Sequence, residues 1–172
     1  MFVDECGTHT SMTRRYGRAP RGERAYGSIP RNRGKNTTLL ASMTESGMGE
    51  AMAIEGSTTT RVFEAYVERF LVANLQEGQV VILDNLGAHK SERVRELIEA
   101  RGCKLIFLPA YSPDFNPIEQ AFSKIKALLK KAAARTREAL IEAIAQALRG
   151  ITVGDIRGWF AHCGYVVEDQ PS

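Results

Sequence analysis

The chain is 172 residues long, 44% hydrophobic and 25% charged, one globular domain's worth of sequence, which excludes a disordered, collagen-like or fibrous protein. Its longest aliphatic run, Val80-Val81-Ile82-Leu83, falls far short of the ~20 apolar residues that cross a bilayer, and no basic segment followed by an apolar stretch opens the sequence. Neither a membrane span nor a secretory signal is expected, and three widely spaced cysteines without a CxxC pair (Cys6, Cys103, Cys163) point to a reducing, cytoplasmic setting.

The net charge of +3 is unevenly placed. Residues 1–35 carry eight basic and three acidic side chains, residues 36–123 seven and twelve, and residues 124–172 eight and five. Two basic blocks therefore flank an acidic middle. Any single Arg or Lys can simply solvate a loop. Between positions 14 and 35, however, Arg14, Arg15, Arg18, Arg21, Arg24, Arg31, Arg33 and Lys35 interleave with Tyr16, Tyr26 and glycines, a polyanion-binding composition. The planar guanidinium fork matches phosphate oxygens, so these residues are expected to grip a nucleic-acid backbone without reading its sequence.

In chain order, Phe2-Val3 reads as the stub of a first strand, because only three residues precede Asp4 and strands commonly run ~5–6. Residues 13–35 lack apolar periodicity and read as a long loop. Thr37–Met43 and Ala51–Glu55 are predicted to pair as an antiparallel hairpin. After Ser57-Thr58-Thr59-Thr60 a helix is predicted, with Val62, Phe63, Tyr66, Val67, Phe70 and Leu71 on one face. Val80–Leu83 has the wholly apolar pattern of a buried strand. Ser91 is placed to cap a helix with Val94, Leu97 and Ile98 inward, stopped at Gly102. Leu105–Leu108 predicts a second buried strand, and a three-proline loop, Pro109 to Pro117, leads into a helix striped by Ile118, Phe122, Ile125 and Leu129. A helix from Thr136 carries Leu140, Ile141, Ile144 and Leu148, and a last short one carries Ile156, Trp159, Phe160 and Cys163. Strands alternating with helices over residues 1–172 predict one mixed α/β domain.

Three carboxylates stand at element ends in this scheme: Asp4 after the first stub, Asp84 after Val80–Leu83, and Glu119 in the first turn after Pro117. Acids just past buried strands project from the sheet edge where open α/β sheets bind ligands, and converging carboxylates suit Mg²⁺. Two such ions can serve the attacking and leaving oxygens of a phosphoryl displacement. Each acid also has a purely structural explanation. Asp4 and Glu5 can be solvated near the chain start, Asp84-Asn85-Leu86-Gly87 can be an Asx turn, and Asn116-Pro117-Ile118-Glu119 fits a capping box.

Phe2-Val3-Asp4-Glu5, Leu83-Asp84-Asn85-Leu86-Gly87-Ala88-His89 and the stretch Leu108 to Glu119, which contains Tyr111-Ser112-Pro113 and Asn116-Pro117-Ile118-Glu119, occur here in order. Together they resemble the DDE transposases of bacterial insertion sequences in the mariner superfamily. The resemblance extends to Arg14-Arg15-Tyr16-Gly17 and to Gly158–Tyr165, and 34 residues separate Asp84 from Glu119, the family's usual interval. It implies a ribonuclease-H-like fold, a mixed sheet with flanking helices. It also implies an Asp4, Asp84 and Glu119 triad holding Mg²⁺ or Mn²⁺, two ions in all, in an enzyme that cuts DNA at transposon ends and joins the freed 3′-hydroxyl to target DNA. Asn85, His89, Tyr111 and Asn116 are expected to line the site, behind the ligands or against DNA. Arg14, Arg15, Arg18, Arg21, Arg31, Arg33 and Lys35 are expected to contact double-stranded DNA. Lys126 and Lys130 share a helical face with Glu119 and are expected to reach it too.

Family members carry a helix-turn-helix region before the catalytic domain, whereas this chain begins almost at its first catalytic Asp. The expectations that follow are a shortened first strand and a separately encoded recognition part, with frameshift fusion, a downstream start codon or a decayed copy as explanations. A homodimer is expected in the active complex. The competing readings are a non-catalytic DNA- or partner-binding remnant and a general nuclease of the same fold. Cys6-x-x-His9 and His162-Cys163 match no standard zinc spacing, and no GxGxxG or GxxxxGK[ST] string suggests a nucleotide cofactor.

Overall fold

A computed structural model describes residues 1–32 and 34–166. Five strands form one mixed sheet: β1 (Phe2–Thr8), β2 (Thr37–Thr44), β3 (Gly47–Glu55), β4 (Val80–Leu83) and β5 (Lys104–Phe107), in the order β3-β2-β1-β4-β5. The first three strands are antiparallel neighbours, whereas β4 runs parallel to both β1 and β5. The helices are α1 (Thr60–Tyr66), α2 (Glu92–Glu99), α3 (Pro117–Ala132), α4 (Arg137–Arg149) and α5 (Val153–His162).

Side chains alternate across β1, and each face has its own core. Phe2 and Cys6, with Leu39, Ala41 and Met43 of β2, pack against α3, α4 and α5 through Ile118, Phe122, Ile125, Leu129, Leu140, Ile144, Ile156 and Phe160. Val3, Leu40, Val81, Leu83 and Leu105 pack on the other side against Phe63, Tyr66, Val67 and Leu71 and against Val94 and Ile98 of α2. The sheet is thus sandwiched between helices, with β1 central and buried on both faces.

Several sequence expectations change here. The first strand is not a stub: β1 has seven residues, so Asp4 lies inside it rather than past its end. The apolar-run rule fails on β1 because Asp4, Glu5 and Thr8 interrupt it. β5 is an edge strand in which burial alternates, not a second fully buried one. The β2–β3 turn is tighter than expected, with Glu45-Ser46 as its tip. The helix that starts at Thr60 continues as a π turn over Val67–Leu71 and a 3-10 turn over Val72–Asn74, keeping Val67, Leu71 and Leu75 inward. Ile141, assigned to a buried face, is exposed.

The stretch between β1 and β2 is the expected long loop, exposed from Arg14 to Ile29, and its roots are fastened. Arg135 donates to the carbonyls of Thr10 and Met12 and to Thr13 Oγ1 at 3.0–3.1 Å, while Lys35 and Arg137 both pair with Glu55. Among the described residues, no helix is long and apolar enough to cross a membrane.

Candidate active site

Parallel pairing of β1 with β4 builds the site. Phe2 and Val3 stand opposite Ile82 and Leu83, so the next residues along, Asp4 and Asp84, emerge side by side. The Asn116–Pro117 start of α3 completes the group from the helical side. Asp4 is only 5% exposed. Its Oδ1 accepts the Glu5 backbone N–H at 2.7 Å, and its Oδ2 accepts the Asn116 side-chain amide at 2.8 Å.

That second bond corrects the capping-box expectation. Asn116 occupies the N-cap position of α3, but its side chain makes no cap bond and instead donates through Nδ2 to Asp4. Glu119, with its backbone N–H on the Asn116 carbonyl at 3.1 Å, is left with its carboxylate exposed to the neighbouring cleft. That cleft, about 410 Å³, is lined by Asp84, Asn85, Asn116, Glu119 and the Leu108–Pro113 segment. Asp114 sits outside this lining, in the 3-10 turn Pro113–Phe115. Tyr111 stands fully exposed on the rim with a left-handed backbone, φ 58°, a conformation uncommon outside glycine.

Asp84 does make the Asx turn, and it takes part in the site as well. Its Oδ1 accepts the Leu86 N–H at 3.0 Å and meets His89 Nδ1 at 2.5 Å. The other imidazole nitrogen, Nε2, meets Glu5 Oε2 at 2.7 Å. His89 is fully buried, its ring 4.1 Å from that of Phe63, so it orders carboxylates from within and presents no surface to DNA.

The electrostatics follow from this packing. Burial, reinforced by the charges of Asp84, Glu119 and Glu5 and only partly offset by the Glu5 N–H, pushes the Asp4 carboxyl up to about 7. Asp84 goes the other way: burial opposes its charge, but hydrogen bonds from His89 and the Leu86 N–H, with the charges of His89 and Lys90, hold it below the usual carboxylate range. Burial likewise opposes charge on His89, yet its bonds to Asp84 and Glu5 outweigh that and raise it to about 9. At neutral pH the imidazolium therefore donates to both carboxylates.

The donor set is all oxygen and anionic, the chemistry of a hard divalent cation. The unfavourable burial of Asp4 among like charges is what a cation would relieve. Among the described residues, no three His, Cys, Asp or Glu side chains already stand close enough to hold a metal. The carboxylates are neighbours held by Asn116 and His89, not a closed cage.

The other expected contacts divide. Arg14, Arg15, Arg18, Arg21 and Arg31 are exposed on the loop, where Arg14, Arg15, Tyr16, Tyr26 and Ile29 help line a hollow of about 400 Å³. Lys35 is paired with Glu55 at 2.6 Å, and Arg33 lies outside the described residues. Lys126 and Lys130 are half-buried on α3 and line neither hollow. Lys126 is near enough to β1 that its charge opposes the rise of the Cys6 thiol, which burial drives to about 12. Sequence reasoning missed Glu5, taking it for a solvated residue. Strand alternation was the available signal: with Asp4 and Glu5 both inside a strand buried on two faces, each needs a polar partner on its own side.

A five-stranded mixed sheet with helices on both faces and acids side by side on β1 and after β4 is a ribonuclease-H-like fold. A family model described as DDE superfamily endonuclease matches residues 1–141, and the chain belongs to that family. No curated protein sequence matches it. Among solved structures, the Mos1 transposase paired-end complex with left transposon end superposes with a TM-score of 0.73 at 18% identity, covering 94% of this chain and 51% of that one. The Mos1 strand transfer complex gives 0.70 at 20%, with coverages of 95% and 52%. The catalytic domain of Mos1 mariner transposase gives 0.68 at 17%, with coverages of 95% and 77%. The chain thus spans about half the length of the Mos1 chains in those complexes.

Proposed function

We propose that this chain is the catalytic domain of a transposase, residues 1–172, which hydrolyses DNA phosphodiesters at transposon ends and transfers the freed strand to target DNA. The observation that carries the reading is a cleft lined by Asp84 and Glu119, with Asp4 on the strand beside Asp84 and bonded to the cleft residue Asn116, in a chain of the DDE family. In this reading Asp4, Asp84 and Glu119 hold two divalent ions, Mg²⁺ or Mn²⁺, the metals named for Mos1 paired-end complexes. Cations there supply positive charge against the oxygens of the displaced phosphodiester.

The protein's own groups do the rest. Asn116 holds the Asp4 carboxylate in place, and His89 holds that of Asp84. Asn85 and Tyr111, which line the cleft, would contact a strand entering it. The arginines of the 14–35 loop, with Lys35, Lys126 and Lys130, supply charge for double-stranded DNA, independent of sequence. End-specific recognition is then the work of a helix-turn-helix part, and the active assembly is a homodimer. The Mos1 structures with transposon ends support a DNA partner of this kind.

The test is cleavage of a transposon-end duplex and a scrambled duplex, with Mg²⁺ or Mn²⁺, by the chain joined to its recognition part. End-dependent nicking lost in Asp84→Asn supports the reading. Equal cutting of both duplexes makes the protein a general nuclease, and binding without cutting makes it a non-catalytic remnant.

A further inference from the structure

Glu5 does not line the cleft: it lies on the opposite face of β1 from Asp4, toward α1. Its side chain is nevertheless only 16% exposed, and its Oε2 meets His89 Nε2 at 2.7 Å. His89 is the hinge of the arrangement. It closes the 3-10 turn Gly87–His89, its N–H bonds the Leu86 carbonyl at 3.0 Å, and its ring lies 4.1 Å from Phe63. The ring can turn only through its two side-chain torsions, which packing against Phe63 restricts, and the carboxylates at its two nitrogens hold it edge-on between Glu5 and Asp84. Nδ1 is then directed at Asp84 Oδ1, 2.5 Å away.

Asp84 therefore has one oxygen committed twice, to His89 and to the Leu86 N–H, while its Oδ2 has no hydrogen bond among the described residues and its carboxylate lines the cleft. We propose that Glu5 is a positioning residue for Asp84, fixing the His89 ring so that the Asp84 carboxylate is presented to the cation in a single orientation.

The proposal rests on the metal-binding reading of Asp84. It adds that a residue on the far side of the sheet sets the affinity of that site. Groups that orient a metal ligand through a hydrogen bond typically change metal affinity by ~10–100-fold when removed. A purely structural role for Glu5 makes a different forecast: it lowers the melting temperature of the metal-free protein but leaves the metal midpoint where it was.

The experiment titrates Mn²⁺ into the whole chain, following the melting temperature and bound Mn²⁺ by electron paramagnetic resonance, for wild type, Glu5→Gln, Glu5→Ala and Asp84→Asn. The half-saturating Mn²⁺ concentration is expected to rise several-fold, up to about tenfold, in Glu5→Ala, because Glu5 stands one hydrogen bond behind the group that touches Asp84. Glu5→Gln, whose carbonyl still accepts from Nε2, is expected to fall between wild type and Glu5→Ala. If Glu5→Ala does not fold, a displaced midpoint in Glu5→Gln carries the test, and an unchanged one overturns the proposal. A normal wild-type response that is lost in Asp84→Asn but unaltered in both Glu5 variants overturns the positioning role alone. Absence of any Mn²⁺ response in the wild type overturns the metal reading and this proposal with it.

Discussion

Replacing Asp4 with Asn removes a buried charge while nearly preserving shape, and the structure gives the sign of the result. The carboxyl rises from 3.8 to about 7 on folding, so the folded protein holds a proton that the unfolded chain releases. Stability is therefore lost as pH climbs from about 4 to about 7. At roughly 1.4 kcal/mol per tenfold change, the full penalty above that window is on the order of 4 kcal/mol. Asn recovers it but alters two bonds. Its oxygen can keep the Glu5 N–H, while its NH₂ faces the Asn116 amide, which must turn to offer its own oxygen, at a cost of about 1 kcal/mol. The metal-free variant should then gain about 2–3 kcal/mol at pH 8, or roughly 5–10 °C in melting temperature. The assay is thermal melting with a chelator at about pH 4 and about pH 8. The gain should vanish at the lower pH, where folded Asp4 is protonated and the unfolded carboxyl, near its own midpoint, gives the unfolded chain little advantage. A variant melting no higher than wild type at pH 8, or one with the same gain at both pH values, would refute the reasoning.

His89 should show the opposite dependence. Its pKa rises from 6.5 to about 9 on folding, so its contribution is complete below about 6.5 and disappears as pH rises through about 9; melts of wild type across that window should fall more steeply than those of His89→Gln. Glu119→Gln should leave the melting temperature near wild type, since the side chain makes no cap bond, and should abolish cleavage. Asp114→Asn should cut normally, and the reverse pattern would move the third ligand to Asp114. Arg14→Ala with Arg15→Ala should weaken binding of end and scrambled duplexes alike and reduce the logarithmic salt slope by about 1 per residue removed. A loss confined to the end sequence would instead make these residues readers of bases.

What could be read from the sequence depended on how each element advertises itself. Val80–Leu83 announces β4 because a strand covered on both sides has no need of polar residues, and the Ile118, Phe122, Ile125 and Leu129 stripe announces α3 for the corresponding helical reason. β1 is just as buried and was misjudged, because its polar residues find partners on distant segments: Asp4 at Asn116, Glu5 at His89, Thr8 at the Thr37 carbonyl. No local pattern encodes those pairings. The same limit explains Asn116-Pro117-Ile118-Glu119, where local rules describe a capping box and a residue 112 positions away takes the Asn side chain instead. Asp4, Asp84 and Glu119 were legible as candidates through motif and spacing. Their support, Glu5 through His89 on one face and Asn116 on the other, became visible only once the sheet order placed β1 beside β4.

The most direct test of the central claim is crystallographic: Mn²⁺ located by its anomalous scattering in the protein bound to a cleaved DNA end. The account requires manganese in contact with Asp4 and Asp84 carboxylate oxygens, with Glu119 completing the set, while His89 and Glu5 remain paired behind Asp84. Manganese held elsewhere, or ligated by His89 or Asp114 in place of Asp4 or Glu119, would contradict it.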